Sequence, residues 1–143
     1  VQAEEMETQL TNAGFTVKKY TFADTNDISS VTQTACQDSD VIYIPTDNTA
    51  ATCGETIGNI VRSAKVPVIA GEQGICKGCG VATLSISYYE LGKKTGEMAA
   101  AILTGEKNIS DMAIEYAPAS KLYNAEMAEL LGVTIPEGYQ PLE

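Results

Sequence analysis

The sequence predicts an α/β domain of three layers, a mainly parallel sheet flanked by helices. Three observations predict it. Short apolar runs rich in β-branched residues, Val41–Ile44, Val66–Ala70 and Val81–Ile86, read as buried strands. Amphipathic stretches of ten or more residues recur between strands, which implies right-handed crossovers and parallel pairing. At 143 residues the chain has the size of one domain and can bury roughly two thirds of its unfolded surface.

The elements follow in order. Residues 2–13 read as a helix with Ala3, Met6, Leu10 and Ala13 on one face, ended by Gly14. Phe15–Phe22 alternates, with Phe15, Val17, Tyr20 and Phe22 set against Thr16, Lys18 and Lys19. It reads as a strand near an edge, since lysines blunt edges. Asp24–Asp27 is turn material with candidate N-caps, and a helix over 28–37 turns Ile28, Val31 and Ala35 inward. Asp40–Ile44 is a buried strand that Pro45 ends, because proline cannot donate to a sheet ladder. Thr49 or Thr52 can cap a helix over 52–64. Val66–Ala70 is the second buried strand, Gly71–Gly74 leaves it, and Ile75–Gly80 reads as a Cys- and Gly-rich loop.

Val81–Ile86 is the third strand. Tyr88 and Tyr89 lead into a long helix over 89–104, with Leu91, Thr95, Met98, Ala99, Ile102 and Leu103 as a broad apolar face and Gly105 as its stop. Asn108–Asp111 is a turn, and Met112–Ala117 reads as a further strand. A final helix over 120–131 carries Leu122, Met127, Leu130 and Leu131 inward and stops at Gly132. The tail, residues 133–143, reads as extended and weakly structured.

Composition excludes several functions. A net charge of −10 with nine Lys and Arg cannot supply the basic clusters that nucleic acid requires. It also disfavours an anionic membrane surface. The absence of histidine removes every His-based triad, zincin site and imidazole relay. No apolar run approaches the roughly eighteen residues of a membrane-spanning helix. No basic, apolar leader is visible, and the chain opens directly in a helical pattern. Gly71-Glu72-Gln73-Gly74 lacks the Lys-Ser/Thr tail of a Walker motif and the glycine spacing of a dinucleotide fingerprint, so no cofactor is expected.

The best functional signal lies just past the buried strands, where ligands sit in open α/β sheets. Thr46, Asp47 and Asn48 follow the first of them. Asp47 can accept hydrogen bonds from a cationic group, and Asn48 offers both a donor and an acceptor. The same residue types also turn chains and cap helices. Glu72 follows the second strand and falls on the same edge. Ser87 and Tyr88 follow the third, where the tyrosine can stack on a ring, close over a ligand or pack at the root of the long helix. Cys76 and Cys79 suit a local disulfide or two plain thiols better than a redox site, since the pair sits between glycines ahead of a strand. Cys36 and Cys53 lack a matching pair spacing for zinc, so no metal is expected. A paired-carboxylate enzyme using Asp47 and Glu72 would lack a nucleophile and a histidine base. A receiver-like domain would need a lysine at the matching late position, and a flavodoxin-like one a phosphate loop after its first strand. Neither is present.

Several stretches resemble one bacterial group. They are Asp40-Val-Ile-Tyr-Ile-Pro-Thr-Asp-Asn48, Val66-Pro-Val-Ile-Ala-Gly-Glu-Gln-Gly74, Ala82-Thr-Leu-Ser-Ile-Ser-Tyr-Tyr-Glu-Leu-Gly92, Thr95-Gly-Glu-Met-Ala99 and Leu131-Gly-Val-Thr-Ile-Pro136. They resemble, in the same order, the substrate-binding components of ABC importers of the TrpX-like class, which have a type I periplasmic-binding-protein fold. The resemblance implies a non-enzymatic, two-lobed protein that closes on a small solute, possession of an ABC permease partner, and an extracytoplasmic, lipid-anchored location. The best described class takes up aromatic amino acids. It implies ligand contacts at Thr46, Asp47, Asn48 and Glu72, and at the position before the tyrosine pair, often Asp in relatives and Ser87 here.

The resemblance also implies that residues 1–143 form the C-terminal lobe only, without the strand that opens that lobe. The helix over 89–104 would then normally pack on the other lobe. Its unhoused apolar face leads to the expectation of a homodimer through that helix.

Overall fold

The computed structural model describes residues 1–142. The chain divides into two compact units, one formed by Val1–Leu84 with the segment from Lys121 onward, the other by Ser85–Ser120. A five-stranded sheet has the order β1-β2-β3-β4-β5. Its strands are β1 (Ile42–Ile44), β2 (Val68–Ala70), β3 (Ala82–Ile86), β4 (Ala119–Tyr123) and β5 (Gln140–Pro141). β1 pairs with β2, β2 with β3, and β4 with β5, each in parallel. The α/β class with a mainly parallel sheet is therefore the observed one.

In the first unit the helices are α1 (Gln2–Asn12), α2 (Ile28–Asp38), α3 (Asn48–Thr52), α4 (Gly54–Ala64), α5 (Gln73–Cys79) and α7 (Ala125–Leu131). Ile28, Ile57, Val61, Val68, Ile75, Val81 and Met127 meet in one buried cluster. Each such side chain contributes about 1.5–3 kcal/mol through removal from water. Pairing Tyr43 with Ile69, and Ile69 with Ala82, puts Tyr43, Ile69 and Leu84 on one face of the sheet. That face is less covered: Ile69 is 39% and Leu84 62% exposed, whereas Val68 on the opposite face is fully buried.

Glycines decide how closely α4 and α5 approach. A Cβ on Gly78 would lie 2.9 Å from the Cα of Gly54. This explains a helix where the cysteine and glycine content of Ile75–Gly80 reads as a loop. Glu72 caps it, accepting hydrogen bonds from the amides of Gly74 and Ile75. The expected helix over 52–64 is likewise revised. Asp47, rather than Thr49 or Thr52, caps a short α3, and α4 begins at Gly54.

Three further expectations are corrected. Phe15–Phe22 is not a strand. β1 ends the sheet on one side, and the segment does not pair with its open edge but is held by side chains instead. Lys18 and Tyr20 both bond Asp38 of α2, while Lys19 pairs with Glu7 of α1 at 2.6 Å. Met112–Ala117 forms no strand either. The strand falls later, at β4, and shortens the last helix to α7, which Asn124 caps through Met127 N at 3.2 Å. The tail is more structured than expected. Gln140–Pro141 pairs with Leu122–Tyr123, Leu142 N donates to Tyr123 O at 2.8 Å, and the Lys121 ammonium sits 5.9 Å from the Tyr139 ring centre.

The second unit holds α6 (Tyr88–Leu103) and a single 3-10 turn, Ile109–Asp111. No residue of α6 is buried. Leu91, Lys94, Met98 and Ala101 are half-buried along one stripe, while Leu103 is 87% exposed. Lys94 pairs with Glu115 at 3.6 Å. Among the described residues, no helix is long and apolar enough to cross a membrane.

Candidate functional site

β1 and β2 end side by side, and the chain beyond each is polar. Gly71 N donates to Ile44 O at 2.7 Å, and Thr46 Oγ1 donates to Gly71 O at 3.1 Å. The two loops touch so closely that a Cβ on Gly71 would stand 2.6 Å from Thr46 N and 2.8 Å from the Pro45 carbonyl carbon. Glycine is required here for space rather than for φ.

Asp47 and Glu72 stand on this shared edge, each at the start of the helix that follows its strand. Asp47 Oδ1 accepts from Ala50 N at 2.8 Å, and Glu72 Oε2 accepts from Gly74 N at 2.8 Å. Both side chains therefore act as helix caps. A carboxylate has about four lone-pair sites, so one or two amide bonds leave acceptor capacity for a further partner. Both residues are half-buried, while Thr46 and Asn48 are exposed. The ion pairs among the described residues involve neither Asp47 nor Glu72.

The structure thus brings together Thr46, Asp47 and Glu72, with Asn48 as the first residue of α3. Ser87 and Tyr88 belong to the second unit. Ser87 caps α6, its Oγ accepting from Glu90 N at 3.2 Å, and Tyr88 is 58% exposed rather than packed in a core. Two surface depressions, of about 160 and 500 Å³, are lined by residues such as Tyr20 and Val31, and Gln33 and Asn59. Neither is lined by Thr46, Asp47 or Glu72.

One contributor escapes sequence reasoning. Gln2, in the first turn of α1, reaches across to accept the Thr46 backbone N–H at 2.9 Å. It also hydrogen-bonds to the Tyr43 hydroxyl, which draws the Tyr43 pKa down and partly offsets the larger upward push from burial. A polar residue in the first turn of an amphipathic helix gives no signal of such a role.

Cys76 and Cys79 are free thiols, one of the two readings that the sequence leaves open. They lie one turn apart on the inner side of α5, and Cys79 Sγ donates back to Ile75 O at 3.3 Å. Both are fully buried. Burial pushes each pKa up to about 12. For Cys79 the nearby Arg62 pulls weakly the other way. Among the described residues no group of three or more His, Cys, Asp or Glu could hold a metal ion.

Comparison with known proteins adds the following. The sequence model of the family described as ABC transporter substrate binding protein matches residues 1–140. A tyrosine-binding protein of Clostridioides difficile (strain R20291) is 35% identical over 75 residues, which cover 52% of this chain and 21% of that protein. Among solved structures, the ligand-free, open form of a substrate-binding protein with adhesive properties from Clostridium difficile is 30% identical. It superimposes with a TM-score of 0.77, covering 99% of this chain and 49% of that one. A domain from Streptococcus pneumonia in complex with L-Trp is 30% identical with a TM-score of 0.81, covering 95% of this chain and 46% of that one. The chain thus spans about half the length of these solved relatives.

Proposed function

The chain belongs to the ABC transporter substrate-binding protein family, and we propose on that footing that it supplies one lobe of a non-enzymatic solute-binding protein, presenting one wall of a two-lobed cleft. The solute is an amino acid, with an aromatic one preferred. The observation that carries this reading is the joined edge of β1 and β2, where Asp47 and Glu72 follow consecutive parallel strands and Thr46 ties the loops through Gly71. Two carboxylates on one open wall suit the ammonium group of an amino acid. Asn48 adds a donor and an acceptor. Ser87 and Tyr88, in the second unit, offer a hydroxyl and a ring of their own. The tyrosine- and tryptophan-binding relatives support the aromatic preference.

In the longer parent, the lobe works outside the cytoplasm, held at the membrane by a lipid anchor, and delivers its solute to an ABC permease. The helix spanning 89–104 packs on the other lobe there. In this chain alone that helix has no buried residue, so the isolated chain dimerises through it.

A thermal-shift survey of amino acids, followed by amide-resolved titration of those that stabilise the chain, tests the site. The expected response is at Thr46, Asp47, Asn48 and Glu72. A response confined to other residues removes the reading. Sedimentation equilibrium tests the dimer: a monomer mass at every concentration contradicts it, while a dimer that Leu103→Glu dissociates supports it.

A further inference from the structure

We propose that Asn124 is a positioning residue of this edge, its carboxamide clasping the far end of α5 so that the helix holds the Glu72 carboxylate in place for a ligand. The inference rests on the ligand-edge reading above and deepens it. All the residues concerned lie in the first unit. α5 runs from Gln73 to Cys79, with Glu72 as its N-cap. At about 1.5 Å per residue it is roughly 10 Å long, so whatever holds one end bears on the other. A helix of two turns has little stability of its own and takes its place from what it touches.

The core contacts of α5 carry no direction. Ile75, Cys76 and Cys79 are fully buried, and such burial sets the depth of a helix more than its rotation or its place along its own axis. Hydrogen bonds at the ends supply direction. In a longer helix Lys77 O would be served by Val81 N, but that amide goes to Val68 O of β2 at 2.7 Å. Asn124 takes its place. Its Nδ2 donates to Cys76 O at 3.2 Å and to Lys77 O at 3.3 Å, and its backbone N donates to Val81 O at 2.8 Å. Its Oδ1 meanwhile accepts from Met127 N at the start of α7. Asn124 thus brackets the exit from α5 into β3 from 48 residues beyond Cys76. At the other end the Glu72 carboxylate is aimed by the amides of Gly74 and Ile75, which belong to the same helix. A slip of α5 would therefore carry that carboxylate away from Asp47, which is tied to α3 instead.

The test uses Asn124→Ser, which keeps a capping oxygen for α7 and removes the carboxamide donors. Asn124→Asp keeps the shape as well and should act in the same direction. Hydrogen exchange of Gly74 and Ile75, whose amides bond Glu72, is read against that of Met127. In Asn124→Ser the first two should exchange about threefold faster while Met127 keeps its protection. Affinity for L-phenylalanine is read by amide-resolved titration, with Glu72 intact and with Glu72→Gln. Asn124→Ser should weaken binding about threefold when Glu72 is intact, a fraction of one charge-assisted bond. It should have no effect once Glu72→Gln has removed the charge being positioned. Unchanged exchange at Gly74 and Ile75 overturns the proposal. So does an unchanged affinity, or one that falls equally in both backgrounds, since the contact would then be only structural. No response of the wild-type chain at Thr46, Asp47, Asn48 or Glu72 would bring down the ligand-edge reading itself, and this inference with it. That failure is seen in the wild type, and the others only in the variants.

Discussion

The Thr46 hydroxyl donates to the carbonyl of Gly71 at 3.1 Å, and this bond joins the loops that leave two neighbouring parallel strands. It turns two separate strand ends into one surface. The contact depends on an absent side chain, because Gly71 leaves no room for a Cβ beside Thr46 N.

Gly71→Ala should therefore be costly at both levels. The added methyl meets backbone atoms of Pro45 and Thr46, which cannot rotate away, so unfolding stability should drop by about 2 kcal/mol. The edge should open with it. Chemical denaturation reads the first effect, and amide shifts at Thr46 and Asp47 read the second.

Asp47 can be separated into its two roles. Asp47→Ala removes the bond to Ala50 N and should destabilise by about 1 kcal/mol. Asp47→Asn keeps a capping oxygen and should stay within a few tenths of a kcal/mol of wild type. It removes the charge, however, so amino-acid binding should weaken about tenfold, as for loss of one charge-assisted bond. Equal stability with equal affinity would leave Asp47 as a cap alone.

Cys76 and Cys79 should resist thiol reagents in the folded chain and react fully once it unfolds. With their pKa values pushed up to about 12, only about one part in ten thousand is thiolate at pH 8. The sign of the stability effect follows. The unfolded chain begins to release these protons near 9.0 while the folded chain holds them. Stability is thus fully present below pH 9 and falls as pH rises toward 12, by up to about 1.4 kcal/mol per pH unit for each thiol. Denaturation midpoints between pH 8 and 11 check this, with a Cys76→Ala/Cys79→Ala chain as the reference whose shallower slope, left by groups such as Tyr43, is subtracted.

Thr83 on β3 is 1% exposed, and its hydroxyl has no hydrogen-bond partner. Thr83→Val keeps the shape and removes a buried polar group. It should raise stability by about 1 kcal/mol, measured by denaturation.

Much of this was legible in the sequence wherever a residue acts through its own neighbourhood. The β-branched runs at Val41–Ile44, Val66–Ala70 and Val81–Ile86 contain β1, β2 and β3 because such side chains favour strands, although full burial comes on one face only, with Ile69 and Leu84 exposed on the other. Asp47 and Glu72 were legible by position, just past those strands. Phe15–Phe22 was not, because alternation makes a segment ready for pairing but cannot supply the neighbouring strand. Ile75–Gly80 was misread because its glycines serve contact with α4 across the core, at Gly54 and Gly78. Strand β4 depends on a partner, Gln140–Pro141, that local sequence could not identify. Gln2 acts on a residue 44 positions away, and nothing local marks it.

The most direct measurement is calorimetric titration of L-tyrosine into this chain, set beside the same titration into the chain joined to a first lobe. A single wall buries only part of a ligand that a closed cleft would bury almost completely. The account predicts weak, millimolar binding for the chain alone, and affinity about a hundredfold higher or more once the opposing lobe is present. Micromolar binding by the chain alone would contradict it, because the site would then be complete without a second lobe.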